Sequence, residues 1–139
     1  MLNKVKDLLL EHGLRFTEPR TKILHLFLDN SHALSYHFLE NSLGSEMDRV
    51  TIYRTLRTFV DSGLLHTIPD EQQTILYAMC AKSCHDGHKH EHNHLHFKCL
   101  VCGETTCLQE VNLVIPSVPI GFKLDSLKLI GEGVCSDCQ

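Results

Sequence analysis

The sequence predicts an α+β protein, with a winged helix-turn-helix in the first half and a smaller α/β lobe in the second. Three observations predict it. Apolar residues recur at helical spacing through four short segments that end at Gly63. Two β-branched or apolar runs, 64–68 and 74–77, then flank a polar turn, which is the pattern of a hairpin. Beyond residue 79 the composition changes. All seven cysteines lie there, and six of the eleven histidines fall inside 85–96.

The elements follow in order. Leu2, Val5, Leu8 and Leu9 line one face of a first helix, which Gly13 ends. Thr17-Glu18-Pro19 starts a second, with Thr17 as cap and Pro19 tolerated in the first turn. It runs to about Leu28, with Ile23, Leu24, Phe27 and Leu28 facing inward. Ser35 caps a third helix through about Leu43 that buries Phe38 and Leu39. Asp48 caps the fourth. Its apolar stripe is Ile52, Leu56, Phe59 and Val60, and its other face carries Thr51, Arg54, Thr55, Arg57 and Thr58. A polar turn, Pro69-Asp70-Glu71-Gln72-Gln73, separates the two hairpin runs. Helices followed by a hairpin allow the fourth helix to enter a major groove. A small helical bundle whose polar face only meets water fits the same pattern.

The second half reads differently. Residues 81–93 are polar and rich in His, without an apolar period, and read as a loop. His94-Leu95-His96-Phe97-Lys98-Cys99 alternates as a strand. Cys102-Gly103 is a tight turn. Thr106 to Ile115 reads as a short helix stopped by Pro116, and Phe122 to Ile130 as one or two strands. Gly131-Glu132-Gly133 turns the chain into its last residues.

Composition bounds the function. The chain has 139 residues, 42% apolar and 22% charged, enough to fold as one domain or two small lobes and too ordered in character for a disordered chain. No stretch approaches the roughly 18 apolar residues of a membrane span. The charged amphipathic start carries no export signal, so the expected location is the cytoplasm, with no membrane partner. Thirteen basic and seventeen acidic residues give −4, which argues against a general polyanion binder. The acidity sits in the second half, for residues 1–68 are balanced.

Seven cysteines without an export signal point to metal ligation or redox chemistry rather than a disulfide scaffold. Cys99-Leu100-Val101-Cys102 and Cys135-Ser136-Asp137-Cys138 are two CxxC knuckles. Two such pairs give the tetrahedral S₄ set of structural zinc. His94 and His96 share one strand face. With His66 on the first hairpin run and Cys80 after the second, they make an N₃S set. An accidental run of surface imidazoles is the other reading. His85, His88, His90 and His92, with Asp86 and Glu91 among them, form either an auxiliary metal site or a solvent-facing trap of no fixed geometry. Cys84 and Cys107 stay open as ligands, redox thiols or packing.

In this combination the chain resembles the ferric-uptake-regulator family, bacterial metal-dependent repressors. The marks are Gly13-Leu14-Arg15 with Thr17, Pro19 and Arg20, then His32 and Ser35, then Thr51-Ile52-Tyr53-Arg54-Thr55-Leu56. His94-Leu95-His96-Phe97-Lys98-Cys99 and the CxxC pairs complete them. The resemblance implies a winged-helix DNA-binding domain over 1–78 and a metal-binding C-terminal α/β dimerisation lobe over 79–139. It implies a homodimer on double-stranded palindromic operator DNA, and zinc in Cys99, Cys102, Cys135 and Cys138. It also implies a regulatory metal at the hinge. Ala78 follows Tyr77 where iron and peroxide sensors carry a carboxylate. Cys80, His66, His94 and His96 match the zinc-uptake-regulator subtype instead. Thiolate favours zinc over iron. Cys107 stands at a position that often holds a carboxylate, and is either a further thiolate ligand or a redox-sensitive neighbour. His32 matches a ligand of the iron and peroxide types, so iron or manganese remains an alternative metal.

The resulting expectation is a zinc-responsive repressor of metal-uptake genes. Arg54, Arg57 and Thr55 are the expected DNA contacts, with Tyr53 against the backbone or a base methyl and Thr51 beside them. Arg15 and Arg20 are expected phosphate contacts. The rivals are an iron-, manganese- or peroxide-responsive regulator of the same fold and a metal-buffering protein. A zinc hydrolase is set aside, since no HExxH-type arrangement is present and the proposed ligands fill the coordination sphere.

Overall fold

The computed structural model describes residues 2–69, 74–79, 95–108, 111, 117–125, 127 and 129–139. The chain divides into two compact units, Met1–Cys80 and Ala81–Gln139.

The first unit opens with helix α1, Leu2–Glu11, which ends at Gly13 with φ 69°, a value that side chains resist. Helix α2 spans Glu18–Asp29 with Pro19 in its first turn. Thr17 occupies the cap position in extended backbone, but its hydroxyl makes no capping bond. Its carbonyl instead accepts from the amide and hydroxyl of Thr21 at 3.0 and 2.8 Å. A two-residue strand β1, Leu34–Ser35, leads into α3, Tyr36–Leu43. Ser35 Oγ accepts from the Phe38 amide at 3.1 Å and caps α3 as expected. Asp48 Oδ1 accepts from the Thr51 amide at 3.3 Å and caps α4, Arg49–Asp61. Hydrogen bonding by Thr51 holds the Asp48 carboxyl below the usual carboxylate range. The cap is therefore present at neutral pH and is lost only as pH falls through that lowered value.

The core of this unit is a cluster led by Val5, Leu9, Ile23, Leu24, Leu39, Ile52, Leu56 and Phe59, all fully buried. Three expectations shift. Phe38 is exposed, because Leu39 and Leu43, one turn apart, occupy the inward stripe of α3 and leave Phe38 about 100° off it. Leu28 and Val60 pack against the core only partly buried. Strands β2, Leu65–Pro69, and β3, Ile75–Met79, form the expected antiparallel hairpin with Thr67 opposite Tyr77. Strand β1 adds to the free edge of β3, with Leu34 also opposite Tyr77, giving the order β1-β3-β2. That sheet is the wing, stitched to the segment before α3.

The second unit holds β4, Leu95–Cys99, β5, Thr105–Leu108, and β6, Leu129–Gly133, in the order β5-β4-β6. β5 is antiparallel to β4 and β6 parallel to it. The helix expected from Thr106 is not formed over its first residues. Thr105 and Thr106 are β-branched and lie opposite Lys98 and Phe97, so strand pairing decides their conformation. Residues 109, 110 and 112–116 of that expected helix lie outside the described residues. The turn expected at Gly131-Glu132-Gly133 is likewise a strand. The glycines are there for close packing: a Cβ on Gly133 would meet Cζ of Phe97 at 3.0 Å. Residues 122–125 form no regular strand. A 3₁₀ turn, Ser136–Cys138, ends the chain.

Candidate metal centres and nucleic-acid face

The first donor set gathers at the open ends of β4 and β6. Cys99 is the last residue of β4, and the turn after it returns the chain through Gly103, whose φ of 77° allows its amide to reach the Cys99 carbonyl at 2.9 Å. Cys135 follows β6, and the 3₁₀ turn carries Cys138. The Leu100 amide bonds to the Gly133 carbonyl at 2.7 Å, which fixes the two knuckles side by side. The four sulfurs of Cys99, Cys102, Cys135 and Cys138 all lie within 4.8 Å of one another. Cys102 Sγ and Cys135 Sγ are 3.9 Å apart. A tetrahedral ion with Zn–S bonds of about 2.3 Å would set each edge at about 3.8 Å, so the residues fit the ion.

The electrostatics agree with that fit. Cys99 Sγ accepts from the amides of Cys102 and Cys135 at 3.5 and 3.4 Å. These donors stabilise a thiolate and pull the Cys99 thiol down to about 6. Cys138 and Cys102 are shifted the other way. Hydrogen bonding with Cys135, together with burial, pushes Cys138 up to about 12. Cys102 is also raised: the Glu104 amide favours its thiolate, but the Cys99 thiol, burial and the Cys135 thiol outweigh that. The Cys99 thiolate forms readily, whereas Cys102 and Cys138 hold their protons. Zinc uptake at neutral pH should therefore displace protons from Cys102 and Cys138, and zinc affinity should fall as the solution is acidified. Calorimetry in two buffers of different ionisation heat measures that proton release, and equal apparent heats would contradict it.

A second pair of donors faces across the β4–β5 ladder. His96 is directly opposite Cys107, and their ligand atoms lie within 4.8 Å. His96 is buried and Cys107 half-buried. His96 Nδ1 lies 3.3 Å from the Leu129 carbonyl, which can only accept. That bond places the proton on Nδ1 and the lone pair on Nε2, the orientation in which a metal-binding imidazole is held. Sequence left the role of Cys107 open, because only the register shows which residue of β5 stands opposite His96.

His66 sits on β2 opposite Ala78 and is 3% exposed. His32 lies in the segment between α2 and β1, partly buried, and belongs to no group of three or more donors among the described residues. Cys80, Cys84, His94 and the loop histidines His85, His88, His90 and His92 lie outside the described residues.

On α4, Tyr53, Arg54 and Arg57 are exposed and Thr51 is partly buried. Thr55 departs from expectation. It is only 8% exposed, and its hydroxyl donates to the Thr51 carbonyl at 2.8 Å. Three residues past Ile52 and four before Phe59, it completes the buried arc rather than the outer one, which removes it from the surface that could touch DNA. Arg15 is exposed, and Arg20, partly buried, donates from Nη1 to the Arg15 carbonyl at 3.0 Å. That bond folds the Arg20 side chain, in the first turn of α2, back onto the segment that precedes the helix. No helix among the described residues is long and apolar enough to cross a membrane.

Comparison with known proteins assigns this architecture. The model of the ferric uptake regulator family matches residues 11–115. The ferric uptake regulation protein of Neisseria meningitidis serogroup A is 31% identical over 139 residues, spanning 93% of this chain and 89% of that protein. That of Staphylococcus aureus is 28% identical over 144 residues, spanning 99% and 97%. Among solved structures, the Vibrio cholerae ferric uptake regulator aligns with a TM-score of 0.60 at 24% identity, covering 94% of this chain and 98% of that one. A zinc uptake regulator complexed with zinc and DNA aligns with a TM-score of 0.67 at 20% identity, covering 99% and 91%. The structural likenesses carry the fold, α+β with a helical winged first half and a β-sheet dimerisation lobe. The family match spans both the wing and the first CxxC knuckle, and on that ground this chain belongs to the ferric uptake regulator family of metal-dependent regulators and is not an enzyme.

Proposed function

We propose that the chain is a zinc-responsive transcriptional repressor, acting in the cytoplasm as a homodimer on a palindromic operator. The observation that carries the zinc reading is the His96–Cys107 pair, a nitrogen and a sulfur donor facing each other on adjacent strands. Sulfur donors select zinc over iron and manganese, which prefer oxygen-rich sets. The structural ion sits in Cys99, Cys102, Cys135 and Cys138. The regulatory ion takes His66, Cys80, His96 and Cys107. His94 is the fifth available donor and the one that four-coordinate zinc leaves out, since His96 and Cys107 already serve from its lobe and the wing must supply the other two. Binding then ties the wing to the second lobe and fixes the spacing of the two recognition helices, α4 of each copy. Coupling arises because only that spacing places both helices in successive major grooves.

The dimer reading has its own support. Val118, Ile120, Phe122, Leu124, Ile130 and Val134 of the second unit are all exposed apolar residues, Ile120 fully so. A second copy is the occupant this proposal gives them.

Arg54 and Arg57 are the DNA contacts on α4, with Tyr53 and Thr51 beside them and Arg15 and Arg20 on phosphates. Replacing Arg54 or Arg57 with Ala should leave the fold intact and weaken operator binding, by about 1–3 kcal/mol where the arginine bonds a base in bidentate fashion. An arginine on phosphate would instead weaken binding alike on every sequence. Unchanged affinity in both variants would refute this face. Removing the loop with His85, His88, His90 and His92 should change metal capacity more than operator affinity, as measured by zinc content beside gel shift.

The testing experiment is operator binding titrated against free Zn²⁺, Fe²⁺ and Mn²⁺ under reducing conditions. Zinc should act at the lowest free concentration. The relatives named ferric uptake regulation proteins favour an iron-responsive reading, and stronger activation by Fe²⁺ would establish it. High metal capacity with no operator binding would make the protein a metal buffer.

A further inference from the structure

One outward residue of α4 has no place in the DNA contacts described so far. With about 3.6 residues per turn, the buried residues Ile52, Thr55, Leu56 and Phe59 centre one side of the helix. Val50, Arg54 and Arg57 fall directly opposite, within an arc of about 60°. Val50 is 52% exposed and both arginines are exposed. A single exposed valine is ordinary on a protein surface. Two features set this one apart. It sits in the first turn of a helix, where a β-branched apolar side chain neither caps the helix nor favours it. It also lies, by angle around the helix, between Arg54 and Arg57, one to two turns ahead of them on the face they make basic.

The neighbourhood leaves an apolar tip there. Glu40 on α3 forms an ion pair with the Arg49 guanidinium, and the Tyr36 hydroxyl donates to the Arg49 carbonyl at 3.3 Å. The cation of the first turn is therefore engaged by α3. At the far end of the same arc Asp61 is exposed, and its charge would repel phosphates. The stretch of α4 ahead of Asp61 on this arc, with Val50, Arg54 and Arg57, is the part whose charge suits the duplex.

We propose that Val50 reads a thymine methyl group in the major groove. The inference rests on α4 being the DNA-reading helix. Residues at the N-terminal end of a recognition helix contact base edges. An isopropyl group offers no donor or acceptor, and the thymine C5-methyl is the apolar feature of the major-groove edges. Val50 therefore distinguishes thymine from cytosine, while the arginines supply contacts to guanine or phosphate.

The test uses the full zinc-loaded chain and a duplex it enriches from a randomised pool. Each thymine of the enriched half-site is replaced by deoxyuridine, which deletes only the methyl. At one position per half-site the wild-type protein should lose roughly fourfold in affinity, the value of burying one such group. Val50→Ala should lose a similar factor on the unmodified duplex and become indifferent to deoxyuridine at that position. Alanine is the better helix former, so this loss would not reflect unfolding. Val50→Thr, which keeps one methyl, should remain sensitive. If every deoxyuridine costs the Val50→Ala protein as much as it costs the wild type, Val50 reads no methyl and the inference is overturned while the DNA reading stands. If no sequence is enriched with Zn²⁺, nor with Fe²⁺ or Mn²⁺ in its place, the DNA reading itself fails and takes the inference with it.

Discussion

Replacing Cys102 with Ser should abolish the folded second unit and, with it, the dimer. The reason lies in what holds that unit together. Among the described residues its sheet has three strands of four or five residues, and it buries few side chains fully. The knuckles tie the end of β4 to the end of β6 through four sulfurs that fit one ion. Structural zinc sites of this kind supply about 10 kcal/mol or more of folding free energy, which exceeds what so small a sheet gains from burial alone. Removing one thiolate leaves three that no longer close the tetrahedron. The measurements are zinc content per chain, which should fall by the structural ion and also by the regulatory ion, since His96 and Cys107 lie in the same unit, and sedimentation with circular dichroism, which should show a monomer with lost β structure. A folded, zinc-free Cys102→Ser dimer would disprove the structural assignment. The first unit has its own core and should survive the substitution, so the residual signal should be helical.

Replacing Cys107 with Ser should leave the structural zinc and the dimer in place and abolish the zinc response. Cys107 follows the first CxxC knuckle by only five residues but stands directly opposite His96 in the sheet, away from the knuckle sulfurs' own group. Loss of groups that merely orient a metal ligand costs 10–100-fold in metal affinity, so loss of the ligand itself should cost more than about a hundredfold. Half-saturation of operator binding should therefore move up in free Zn²⁺ by at least that factor. Cys80→Ser and His66→Ala should do the same, while His94→Ala should shift it far less. A Cys107→Ser protein with a normal zinc response, together with a His94→Ala protein that has lost it, would return His94 to the donor set and remove Cys107. Cobalt substitution gives a second readout. The regulatory ion of the wild type should show intense sulfur-to-cobalt charge transfer, reduced in each cysteine variant.

What the sequence determined by itself is local. Helical spacing, the caps at Ser35 and Asp48, and the glycines at 13 and 63 set the first unit, because these signals act over three or four residues. The CxxC knuckles were legible for the same reason: two thiols three residues apart can share an ion whatever lies around them. Three features were decided by the tertiary structure. Thr55 went to the core because the α4 stripe is centred by what packs against it, which composition on one face does not reveal. Thr105–Leu108 became a strand, and Gly131–Gly133 another, because each pairs with β4 across a gap in sequence, and Phe97 fills the room that the glycines leave. The facing of His96 and Cys107 follows from that pairing. Strand register is a long-range property: sliding β5 by one residue would turn Cys107 to the opposite face of the sheet, and the order of residues along the chain carries no direct trace of which register wins.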